Sequence, residues 1–204
     1  MSARPHPWSA WGLVVSALIA AAACTATPTP GPTPTPSPTS VGIASASPTE
    51  PAGPIESLPA GCAQETSAGS TAPRVSISDI AVRAYPEYDV LIFDFDRGVP
   101  EYAVSHADPP FTRDPSGLPL EVEGSYFFSV VLQGASIVDE EFQPVYEGPT
   151  DFQADLVRIR HVVLGGDFEA VSTWVVGLEA PACVAVQAFS DRRLVIAFFE
   201  APPG

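Results

Sequence analysis

The stretch Tyr88-Asp89-Val90-Leu91-Ile92-Phe93-Asp94-Phe95 is apolar at both alternating sets of positions. Its length suits a strand, and a strand that is apolar on both faces is covered on both, so it belongs inside a sheet. Asp96-Arg97-Gly98-Val99-Pro100 ends it, and residues 101–106 begin the next strand. Upstream, residues 74–85 alternate at Val75 and Ile77, then at Ile80 and Val82. The change of phase near Ser78-Asp79 predicts a bulge or turn.

Downstream, the punctuation stays that of an all-β chain. Asp-Pro-Pro and Asp-Pro-Ser-Gly within residues 107–117 are turn signals. Residues 118–122 and 126–132 follow as strands about Gly124. Residues 134–150 read as an acidic surface loop with one short helical turn. Residues 156–164 and 168–178 flank Gly165-Gly166-Asp167, a hairpin signal. Residues 184–189 and 194–199 form the last pair. No segment keeps a helical period over three turns. The prediction is one small β-sandwich of about eight or nine strands, over residues 61–204.

Before this domain the composition changes twice. Trp11-Gly-Leu-Val-Val-Ser-Ala-Leu-Ile-Ala-Ala-Ala-Ala23 follows Arg4 and ends at Cys24. Roughly 13 apolar residues are too few to cross about 30 Å of hydrocarbon but suit the core of an export signal. Ala21, Ala22 and Ala23 before Cys24 resemble a bacterial lipobox, which implies a signal over residues 1–23 and lipidation of Cys24. Membrane attachment on the outer face is then expected through the lipid. Residues 24–60 carry Thr-Pro-Thr-Pro repeats with few large apolar side chains. Such a segment cannot offset its ordering entropy and is predicted to be a disordered stalk, reaching roughly 110 Å if fully extended as polyproline II.

The chain carries 24 Asp and Glu against nine cationic residues, all Arg, for a formal charge of −15. That charge repels phosphate backbones, so nucleic acid is excluded as a partner. Of three cysteines, lipidation of Cys24 leaves Cys62 and Cys183 as a pair. Their spacing does not resemble a metal site, so a disulfide closing a loop of about 120 residues is expected.

Several blocks resemble the AMIN-like domain of bacterial envelope lipoproteins. The opening Tyr88–Phe95 followed by Pro100-Glu101-Tyr102-Ala103-Val104 is similar to the family's opening, with Val90 where Arg is usual. Gly166-Asp167-Phe168-Glu169-Ala170-Val171 with Gly177-Leu178 resembles its later hairpin, and Phe189-Ser190-Asp191-Arg192-Arg193-Leu194-Val195-Ile196 its closing strands. The resemblance implies a β-sandwich related to the AMIN module of cell-wall amidases and secretion pores. It also implies a non-enzymatic, glycan-associating role in the envelope, and no cofactor.

Chemistry is sparse. There is no Gly-x-Ser-x-Gly, no His-Glu-x-x-His and, without Lys, no Walker motif. His161 shares the phase of Val157, Ile159 and Val163, which favours a hydrogen-bonded, half-buried ring over a base. Asp94 and Asp96 share a strand face about 7 Å apart. They are the candidates for acid–base work on a glycan or for calcium, against strand-end solvation with Arg97 pairing nearby. Tyr102 and Trp174 are the candidates for stacking on a sugar or meeting a partner, against core packing. Three roles result: docking to wall glycan or an envelope protein, a glycan-active enzyme using Asp94 and Asp96, or protein docking by strand addition at a sheet edge.

Overall fold

The structure, a computed structural model, describes residues 54–55, 57–69, 74–189 and 192–200. The expected signal, Cys24 and most of the expected stalk lie outside the described residues. No helix occurs among the described residues. In chain order the strands are β1 (Glu65–Ala68), β2 (Val75–Ala84), β3 (Tyr88–Phe95), β4 (Glu101–His106), β5 (Phe111–Thr112) and β6 (Pro119–Leu120). They continue with β7 (Tyr126–Gln133), β8 (Ala135–Ser136), β9 (Asp151–Gln153), β10 (Ile159–Phe168), β11 (Val171–Leu178), β12 (Cys183–Phe189) and β13 (Arg193–Phe199). Most of the predicted strands are the long ones; the strand predicted over 118–122 is the two-residue β6, and the additional elements β1, β5, β8 and β9 span four residues or fewer.

Two sheets face each other. One is six-stranded in the order β1-β4-β7-β11-β10-β9, the other five-stranded in the order β12-β13-β3-β2-β8. β3 is the middle strand of the second sheet, which is why it is apolar on both sides. Leu91 and Phe93 point into the sandwich, while Val90 and Ile92 point outward into a second apolar layer. Across the interior, Phe93 meets Trp174 edge-on at 5.8 Å and Phe128 meets Phe198 at 5.3 Å. The outward layer is covered by Ile55 and Leu58, and the Tyr88 hydroxyl donates to the Ile55 carbonyl at 3.2 Å. From sequence alone these two residues counted with the stalk; here they cap a sheet.

Two links tie the layers. Cys62 and Cys183 form the expected disulfide, 121 residues apart in sequence. Asp89, fully buried, turns inward from β3, and its Oδ2 accepts the Arg158 and Ile159 N–H groups at 2.5 and 2.9 Å. The acidic residue of the opening block is thus a staple from β3 to the start of β10.

The break predicted at Ser78-Asp79 is a register shift between Ile77 and Asp79 in the β2–β3 pair. Two local expectations fail. Gly165-Gly166-Asp167 is not the hairpin turn, because β10 continues through it, with a register shift against β11 between Leu164 and Gly166. The turn is Glu169-Ala170, both with positive φ (51° and 57°). Gly166 serves close approach instead: a Cβ there would lie 2.7 Å from the Asp114 Cβ. Residues 134–150 contain no helical turn. Ala135 and Ser136 pair with β2 in parallel, and Tyr146 is buried against Trp174.

Candidate functional site

At one end of the six-stranded sheet, the start of β7, the ends of β9 and β11 and the start of β10 enclose an open groove of about 680 Å³. Glu123, Ser125, Gln153, Asp155, Arg160 and Glu179 line it. Three carboxylates and one guanidinium give it a negative balance. Arg160 donates to Glu179 at 2.7 Å and lies 3.9 Å from Asp155. Gln153 donates to Glu123 Oε1 at 2.7 Å.

Glu123 reaches the groove because the segment before β7 lies directly on β11. Gly177 makes this contact: a Cβ there would stand 1.9 Å from the Glu123 carbonyl oxygen. Gly124, at φ 145°, sits over Leu178, where an added Cβ would stand 2.8 Å from the Leu178 nitrogen. Gly177→Ala is therefore expected to push the 121–125 segment off the sheet, at a cost of about 1–3 kcal/mol for overpacking. Gly165→Ala, whose nearest contact would be 3.4 Å, is the control and should melt close to the parent. Thermal unfolding of both variants checks the contrast; equal melting temperatures would contradict it.

Beneath the groove His161 is 7% exposed and fully used. Its Nδ1 accepts the Glu123 N–H at 3.0 Å, and its Nε2 faces Asp151 Oδ1 at 2.8 Å. With Nδ1 accepting, the ring proton sits on Nε2 and is donated to Asp151. Asp151 also stands 3.5 Å from Arg113. This ring is a clamp holding the Glu123 segment, with no nitrogen left to act as a base.

The candidate carboxylates are likewise engaged elsewhere. Arg193 grips Asp94 in a two-pronged fork at 2.7 and 2.9 Å. Asp96 accepts the Ser76 N–H at 2.7 Å and Arg97 at 2.9 Å. Among the described residues no three metal-ligating side chains converge. The candidate aromatics are core residues: Trp174 is 0% and Tyr102 7% exposed. Their strand phase turns both rings inward into the core cluster, the core packing weighed against a stacking role. Burial raises the Tyr102 phenol above its ordinary pKa. Trp174 instead donates to Ser172 at 3.0 Å.

Sequence reading missed the groove because its lining comes from four separated segments. It also missed Phe142, which is 79% exposed and held at φ 60° on a turn whose Asp139 side chain accepts the Glu141 and Gln143 N–H groups.

The family model of the AMIN-like domain matches residues 75–199. Its limits coincide with the start of β2 and the end of β13, and the chain belongs to this family, a class of cell-envelope-associated modules. No curated protein and no solved structure matches the chain.

Proposed function

We propose that this chain is an exported lipoprotein, anchored through Cys24 to the outer face of the cell membrane, whose β-sandwich docks to wall glycan without catalysis. The observation that carries the reading is the family match from β2 to β13. The Cys62–Cys183 bridge supports it, since disulfides persist in exported proteins. The groove supports glycan as the partner: Glu123, Asp155 and Glu179 accept hydrogen bonds from hydroxyl, amide and amino groups, and Arg160 and Gln153 donate. Recognition there is by hydrogen bonding rather than ring stacking. The enzyme alternative rested on Asp94 and Asp96, and both are occupied in ion pairs of the sheet end.

Cys24→Ser tests the anchor: the variant should leave the membrane fraction, and its retention there would refute lipidation at this residue. Sedimentation with purified wall material tests the groove. Each charge-assisted hydrogen bond contributes about 1.5 kcal/mol, so Glu123→Gln with Glu179→Gln should weaken retention by about tenfold or more. Unchanged retention in a folded variant would move the binding surface elsewhere.

A further inference from the structure

The two sheets have four edges, and three are blunted in the ways that edges usually are. β1 is four residues long and begins with Glu65. β9 is three residues and carries Asp151. β8 is two residues. The fourth, β12, is different. It reads Cys-Val-Ala-Val-Gln-Ala-Phe over seven residues, without charge or proline. Its register against β13 is continuous, with no bulge.

The outer side of β12 is closed only at its beginning. Val184 N–H donates outward to the Ala63 carbonyl at 3.0 Å, and Gln64 Nε2 donates to the Ala182 carbonyl at 2.9 Å. Backbone groups alternate sides along a strand, so Val186 and Ala188 also direct an N–H and a C=O outward. Among the described residues, none of these groups has a partner beyond the sheet. Alongside runs a trough of about 590 Å³, lined by Ile55, Pro59, Glu65 and Thr66 together with Val184 to Gln187. That volume is in the range of short-ligand sites.

We infer that the free edge of β12 is a strand-addition site for an extended, proline-free segment of a partner protein, with apolar side chains at alternate positions and cationic flanks. Backbone pairing extends the five-stranded sheet, and alternate side chains enter the trough. The cationic flanks follow from charge: Glu65 lines the trough and the chain carries −15, which favours a basic strand and disfavours a second copy of itself. This surface is separate from the groove, so either reading can fail alone.

The test is amide hydrogen exchange of the full chain with a nine-residue peptide of alternating Val and Thr carrying Arg at each end. The Val186 and Ala188 amides should become protected by about tenfold or more, saturably, as two backbone hydrogen bonds form. Methylating the peptide nitrogens that face β12 should abolish the effect with the protein unaltered. Val186→Pro should do the same while leaving the β12–β13 ladder, because that N–H points away from β13. Absence of protection at both amides at millimolar peptide would overturn the assignment. So would protection that rises with protein concentration alone, which would make a second copy the occupant.

Discussion

Replacing Cys62 and Cys183 with serine should lower the stability of the domain by about 2–5 kcal/mol. The bridge joins positions 121 residues apart, and in the chain-entropy model a loop of that length confers nearly 5 kcal/mol, a ceiling that real bridges seldom reach. A loss in the middle of the range lowers the melting temperature by roughly 10 °C. The effect has a local part as well. Cys62 ends the segment whose Ile55 and Leu58 cover Val90, Val195 and Ala197 on the outward face of the five-stranded sheet. Freed of its tether, that segment should fray first and expose an apolar face. Melting curves with and without reductant, read beside binding of a hydrophobic dye, check both parts. Reductant should lower the parent to the level of the double serine variant and leave the latter unmoved. Equal melting temperatures for parent and variant would contradict this account of the bridge.

The second large effect is at Trp174. The ring is fully buried, edge-on to Phe93 at 5.8 Å and to Tyr146 at 6.5 Å. Truncating such a side chain costs about 3–5 kcal/mol, since lost burial adds to the cavity left behind. Trp174→Ala should therefore melt far below the parent or fail to accumulate. Trp174→Phe separates packing from binding: it keeps most of the volume, so it should fold with a modest loss and retain wall binding in full. A folded Trp174→Phe that no longer sediments with the wall would return the residue to a contact role.

Both effects arise from features with unequal visibility in the sequence. The sheet interior was legible because the period-two signal is strong where a strand has one or two apolar faces. Tyr88–Phe95 announced a central strand, and the change of phase at Ser78-Asp79 announced the bulge in β2. Gly165-Gly166 misled because glycine marks both turns and close backbone approach, and only the position of Asp114 decides between them. The true turn, Glu169-Ala170, carries no glycine signal at all. Trp174 and Tyr102 were ambiguous for a related reason: an aromatic residue in phase with a strand core can face either layer until the register is known.

The groove was illegible because nothing local encodes it. Glu123, Gln153, Arg160 and Glu179 come together only once β11 is laid beside β7 and β10, and the deciding residue is the small one, Gly177. His161 was half legible. Its phase predicted a hydrogen-bonded ring, but its partners, the Glu123 N–H and Asp151, lie 38 and 10 residues away.

The central claim is that the sandwich holds the chain to wall glycan. The direct measurement is co-sedimentation of the chain with purified wall material before and after enzymatic digestion of the glycan, with protease-stripped wall in parallel. The account predicts retention that survives stripping of wall protein and disappears when the glycan is cut. Retention that survives glycan digestion but is lost with the protein would contradict it.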